Sequence, residues 1–284
     1  VKTNTKTTPP ASDMAGGWHF FGSPAKVLLG HIADFLKVPS TWLGQSIRFT
    51  FFPHEQWNAA AFDGIWSTFV ADSPAVDESK PREQARRIAG DYKDGVGLEI
   101  QITPARLDLF FVPSQSAAPP LPDDFGPFEP LLQEVSTKVD QWLAAFPFDL
   151  GRAALGVVLI DPAESRLASY AKLMKYAKSL KLDLKENVSD LIFQINHTMQ
   201  SKAVEGVTIN RLMKFMAVLK TGVMFTIASG GQPFALPGNV PRTFTTIELD
   251  ISTNPGKILE RASLRAIFEE LGGIAHELAA QGEP

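Results

Sequence analysis

Five histidines, His19, His31, His54, His197 and His276, titrate nearest neutrality, and acid–base or metal chemistry would draw on them or on carboxylates. None opens the HExxH spacing that sets two histidines on one helical face around zinc, since His54 is followed by EQWNA and His276 by ELAAQ. His197 is the weak candidate for a catalytic acid or base. QINHTM sets Asn196 and His197 at the end of an apolar strand, where catalytic groups sit and where strands also simply meet water. Arg242 is the cation that would clamp an anion beside it. Cysteine is absent, which excludes disulfides, thiolate metal sites and cysteine nucleophiles. No serine lies in GxSxG, and GDYKDGVG and SGGQPFALPG lack the P-loop and dinucleotide spacings. No metal site or cofactor is expected.

Other clusters favour binding over chemistry. SGGQPFALPGNVPR, Ser229 to Arg242, is expected to be a Gly/Pro-rich loop, with backbone freedom at Gly230, Gly231 and Gly238, apolar Phe234 and Leu236, and the cation Arg242. Loops of this size inside compact domains are where a rigid scaffold presents a ligand or partner site. Gly230, Gly231, Phe234, Leu236 and Arg242 are therefore the candidate binding residues. Lys172, Lys175, Lys178, Lys181 and Lys185 lie on or just after one helix, and their spacing would suit phosphate contact or a solvated face. Only Tyr170 and Tyr176 lie nearby for base stacking, which disfavours nucleic acid. Asp123-Asp124 and Glu269-Glu270 read as solvated charge.

The elements that must position these residues follow from periodicity. SIRFTFF, 46–52, is dense in aromatic and β-branched residues and reads as a strand ended by Pro53. His54-Glu55 then reads as the start of a helix with Trp57, Ala61, Ile65 and Phe69 in one stripe. Residues 71–95 read as a polar excursion with a short helix over 83–88. GLEIQIT and RLDLFFVP, joined at Pro104-Ala105, read as an antiparallel pair. FEPLLQEVSTKVDQWLAAF carries Leu131, Leu132, Val135, Val139, Trp142 and Leu143 at helical spacing. RAALGVVLI is a strand stopped by Asp161-Pro162, and Glu164 to Leu180 is a helix. SDLIFQINHTM, GVTINRLMKFMAVLKTGVMFTIA (one long or two shorter) and TFTTIELDI are strands, and 258–280 is a terminal helix bearing His276 near its C-terminal carbonyls. Near the start, Val27, Leu28, Ile32, Phe35 and Leu36 mark a further helix from Pro24, capped by Ser23.

At 284 residues and 44% hydrophobic content the chain can bury one large core or two modest ones. A net charge of −4 gives no global attraction to nucleic acid or anionic lipid. No run approaches the ~18–20 apolar residues of a membrane span. Residues 1–17 read as a flexible lead-in without the apolar centre of a signal peptide, followed by halves at 18–148 and 149–284.

The halves share an order. FTFFPHEQW and VVLIDPAESR each run strand, proline, then glutamate, at Pro53/Glu55 and Pro162/Glu164, and LEIQIT resembles LIFQIN. The fold class is therefore α+β: two similar strand-helix-strand-strand-helix halves on a largely antiparallel sheet, side by side or sharing one sheet, with internal duplication as the explanation this order raises.

The passage RTFTTIELDISTNPGKILERASLRAIFEELGGIAHELAA, a strand ending in Leu249-Asp250-Ile251 and a helix containing His276, resembles a sporadically distributed family of uncharacterised bacterial cytosolic proteins. RAALGVVLI would occupy that family's central Arg-containing strand. The resemblance covers under half the chain and implies a bacterial, cytoplasmic accessory factor in a mobile or defence-linked locus. It supplies no catalytic residues.

Together these features point to a noncatalytic interaction module that engages a protein partner through a sheet face or its Gly/Pro loops, with no membrane role. The alternatives are an enzyme whose site joins His197 and Arg242 from distant segments, and a nucleic-acid accessory protein using the lysine-rich helix.

Overall fold

The computed structural model describes residues 42–284 apart from 72, 117–122, 182, 184–189, 221–223, 228–232 and 237–240, and for 224–227 and 233–236 it gives the backbone course. The expected lead-in at 1–17, the helix from Pro24 with His19 and His31 nearby, and Lys185, Gly230, Gly231 and Gly238 lie outside the described residues.

The chain opens with β1 (Leu43–Pro53), whose aromatic and β-branched content suits a pleated, half-buried surface. The helix expected after Pro53 is broken in two. His54 donates its backbone N–H to Asp149 O, Asn58 caps a 3-10 turn at Ala59–Phe62, and Gly64 (φ +80°) separates that turn from the short α1 (Ile65–Phe69). Glu55 is thus in the connection and not in a helical first turn. The expected polar excursion is a hairpin of β2 (Ala75–Lys80) and β3 (Ala85–Lys93), and no helix spans 83–88. Asp94 (φ +46°) and Gly95 (φ +81°) turn β3 into β4 (Val96–Thr103), the positive φ values a tight hairpin requires. β5 (Arg106–Pro113) returns antiparallel to β4, as its sequence predicts, and α2 (Phe128–Leu143) follows.

The second half begins with β6 (Leu150–Ala163). It runs through Pro162 where a stop is expected, because past Ile160 it has β11 on one side and no β1 on the other, an edge where a missing N–H is tolerated. α3 (Arg166–Tyr176) starts on Ser165, whose Oγ accepts from the Ala168 N–H at 3.2 Å. Then come β7 (Ile192–Gln200), β8 (Thr208–Lys220), a separate small hairpin of β9 (Met224–Ile227) and β10 (Pro233–Leu236), β11 (Arg242–Thr253) and α4 (Arg261–Gln281). Part of the expected Gly/Pro loop is therefore strand.

Nine strands form one antiparallel sheet in the order β2-β3-β4-β5-β1-β6-β11-β8-β7, so the two halves share a sheet joined at β1 and β6. In each half the first strand is central, the chain leaves for the outer strands, and the last strand returns to pair with the first: β5 with β1, β11 with β6. Pro53 and Pro162 lie on equivalent strands by this order. LEIQIT and LIFQIN do not, since β4 is second from β1 and β7 is third from β6.

One face of the sheet carries the core. Ile47, Phe49 and Phe51 are fully buried, and Phe51 lies 4.7 Å from Phe268 of α4 and 5.1 Å from Trp142 of α2, ring to ring. Phe69 of α1 reaches Phe111 on the same side, and Trp42, before β1, joins α3 to α4 through Tyr176 (5.2 Å) and a hydrogen bond to Ala279 O at 3.0 Å. Each buried aromatic of this kind contributes about 1.5–3 kcal/mol by leaving water. Among the described residues no helix is long and apolar enough to cross a membrane.

Candidate functional site

Strand parity sends alternate side chains to the opposite face, and the register fixes which of them meet. One row crosses five neighbouring strands: Phe110 on β5, Arg48 on β1, Gly156 on β6, Asp250 on β11 and Leu212 on β8. An apolar residue stands at each end, a cation and an anion stand inside them, and the centre has no side chain. The row lines an open basin of about 460 Å3, with Lys214 and Glu248 forming a 3.1 Å ion pair one row away.

Arg48 lies flat in this row. Its guanidinium carbon is 5.7 Å from the Phe110 ring centre, and a β-carbon built on Gly156 would touch Nε and Nη2 at 3.4 Å. Glycine at 156 thus gives the guanidinium its resting place. Nε of Arg48 and Oδ1 of Asp250 are both shielded from solvent without a hydrogen-bond partner, and among the described residues no ion pair joins the two groups. Each of these half-buried groups thus keeps one inner atom unbonded, and the guanidinium resting over Gly156 and the Asp250 carboxylate present opposite charges on neighbouring strands.

Elsewhere on this face most groups are paired, although Nε of Arg152 is also shielded without a partner while its Nη2 donates to Ser252 Oγ at 2.8 Å. Thr50 Oγ1 donates to Asp108 Oδ1 at 2.6 Å while Arg106 Nε holds Oδ2 at 2.6 Å, and Arg87 pairs with Glu99 at 2.7 Å. A second depression, beside Tyr92, is likewise satisfied: Glu134 accepts from the Tyr92 hydroxyl at 3.0 Å and from Lys93 at 3.1 Å. Burial, then Glu134, holds that phenol well above its ordinary range.

The residues expected to act do not assemble. His197 faces the helices, where Nε2 lies 3.2 Å from Glu283 Oε1, and Glu283 also accepts from the Ser179 N–H at 2.7 Å and from its hydroxyl. Burial pushes the Glu283 carboxyl up, but the bonds from Ser179 and His197 outweigh it and hold the group below its ordinary value. Ser179 and His197 both bond this carboxylate, so the trio lacks a nucleophile held by a base. Arg242 lies on the opposite face. Its β8 partner Lys220 is nine residues beyond Arg211, the partner of His197, roughly 30 Å along the strand. The two do not form one site.

Arg242 and Lys220 instead lie over the buried Phe244 and share Asp123, at 3.0 and 3.2 Å. Asp123 is therefore a neutralised junction and not solvated charge. Glu270 is also structural, accepting from Ser201 Oγ at 2.5 Å and from the Lys202 N–H at 2.7 Å. Phe234 and Leu236 lie on β10, opposite Thr226 and Met224 of β9. The lysine face is split: α3 holds Lys172 and Lys175, Lys178 and Lys181 come after it, and Lys172 is bound to Asp161 and lies over Trp42 at 5.1 Å. His276 sits 3.7 Å from Glu129 of α2, so it faces a carboxylate and not the terminal carbonyls. Among the described residues no group of three or more histidines and carboxylates is placed to hold a metal ion.

Sequence reasoning passed over Arg48, Gly156 and Asp250. Their signal was a charged residue or glycine at one parity of an otherwise apolar strand, in IRF, LGV and LDI. No protein-family model matches the chain, and no curated protein sequence matches it.

Proposed function

We propose that this chain is a noncatalytic α+β interaction module that receives a protein partner on the open face of its sheet. The observation that carries this reading is an open basin at the centre of that face in which the half-buried Arg48 and Asp250 stand as opposite charges between the apolar Phe110 and Leu212. The candidate loop contributes to this reading only through Arg242 at the margin of the same face. The resemblance of the C-terminal passage supports placing the module in the bacterial cytoplasm as an accessory factor of a mobile or defence-linked locus, and the shared strand order supports an origin by duplication.

Photocrosslinking tests the partner surface. Benzoylphenylalanine replaces Leu212 in the basin or, as control, the exposed Leu167 on α3. A discrete protein adduct from position 212 and none from 167 is expected. Adducts that form equally from both positions, or a turnover that depends on one titratable residue, would sink the reading.

A further inference from the structure

We infer that the Arg48–Gly156–Asp250 row recognises a pair of opposite charges carried side by side on one face of a partner helix, flanked by apolar residues. This deepens the reading of the open face as a partner surface and rests on it. The basin holds two cations, Arg48 and Lys214, and two anions, Asp250 and Glu248. A bare anion therefore gains at Arg48 what it loses at Asp250, and a bare cation does the reverse. A wholly apolar occupant would strip water from the part-exposed remainder of Arg48 and Asp250 and leave both charges without partners. A carboxylate over the Arg48 fork beside an ammonium or guanidinium on Asp250 satisfies both ends at once.

The row fixes the order of the motif. From β5 to β8 it reads apolar, cation, gap, anion, apolar, so the complement reads apolar, acid, base, apolar. Phe110 to Leu212 spans four strand spacings, roughly 19 Å. A helix laid along the row covers that length in about 12–13 residues, so residues four apart form the matching stripe. The openness of the site favours a protein segment over a small molecule: the row runs roughly 19 Å along an open basin, whereas small-ligand sites enclose about 70–90% of their ligand.

Four synthetic alanine-based 18-residue helices serve as probes, with Leu-Glu-Lys-Leu, Leu-Glu-Glu-Leu, Leu-Lys-Lys-Leu or Leu-Gln-Gln-Leu at every fourth position. Each is titrated into the full 15N-labelled chain while the Gly156 amide and the Arg48 Nε–H resonances are followed. The Glu-Lys helix is expected to move both at least tenfold more tightly than the other three. Arg48→Asp alone should abolish this preference, and Arg48→Asp combined with Asp250→Arg should restore it with the helix turned end for end. Gly156→Ala, which keeps both charges but crowds the guanidinium off its rest over residue 156, should abolish it without unfolding the chain.

Equal binding of all four helices to open-face residues overturns the charge-pair inference and leaves the open face as a partner surface. Tightest binding by Glu-Glu overturns it in favour of an anion site, and competition by free glutamate and lysine at the same concentration does so in favour of a small ligand. If no helix moves any resonance the charge pair fails, and the crosslink from position 212 decides separately whether the partner surface fails with it.

Discussion

Ile47, Phe49 and Phe51 leave β1 on one side and vanish beneath the helices, while Arg48 leaves it on the other with its Nε shielded and unbonded. The same contrast runs across the sheet. On β11, Leu249 and Ile251 are buried on the helix side, while Asp250 between them faces the basin. One parity of each strand packs beneath the helices, and the other carries polar groups around the basin, with Thr50, Asp108 and Phe244 buried among them. Shielded atoms without a hydrogen bond occur on both sides, Arg211 Nε under the helices and Arg48 Nε on the basin side, so it is the open basin and its opposite charges that set the second face apart.

The largest break in this contrast comes from the covered side. Phe51→Ala removes a ring packed between Trp142, Phe146 and Phe268 and should cost about 3–5 kcal/mol, read from the urea midpoint. A loss below about 1 kcal/mol would mean that the helices do not hold the sheet. Next is Glu283, buried on the same side and bonded to Ser179 and His197. Glu283→Ala should cost about 1.5–3 kcal/mol.

Because the folded state holds this carboxyl below its ordinary value of 4.5, its contribution is complete above that pH and is lost as the pH falls through the lowered folded value. Denaturation at about pH 6 and about pH 3 should therefore show a smaller acid loss for Glu283→Gln than for the parent chain. Equal acid losses would remove Glu283 from the account.

On the open side the signs change. Asp250→Asn removes a half-buried charge with one unbonded oxygen and should raise stability by about 0.5–2 kcal/mol while weakening binding of the Glu-Lys helix. A drop in stability would show that Asp250 supports the fold. The smallest effect belongs to Gly156→Ala. Its β-carbon meets Arg48 at ordinary contact distance, so thermal unfolding should shift by less than about 1 kcal/mol while the binding response disappears.

How much of this was legible depended on whether a residue's partner lay nearby in the chain. Leu132, Val135, Val139 and Leu143 mark α2 through local periodicity, and alternation marks β1, β4, β5 and β11. The β2–β3 hairpin escaped because β2 is almost entirely exposed and is held by charges across the ladder, Arg86 to Asp77 at 2.7 Å. Its one plain signal, Asp94-Gly95, sat inside a stretch that read as polar loop. The basin escaped for another reason. That Arg48, Gly156 and Asp250 share a row follows from the registers of three strands drawn from both halves, which no local pattern encodes. His197 looked exposed at a strand end until Glu283, one residue from the end of the chain, reached it.

The bond from Trp42 to Ala279 spans 237 residues, and Phe268 closes over Phe49 and Phe51 from nearly as far. At the roughly 5–20 residues per second of protein synthesis, some 10–50 s separate the emergence of β1 from that of the helix that covers it. During translation the part of this aromatic side that Trp142 and Phe146 do not cover, Phe49 above all, stays open to solvent and to other nascent chains until α4 emerges, so a ribosome stalled before α4 would expose it to chaperones and to aggregation.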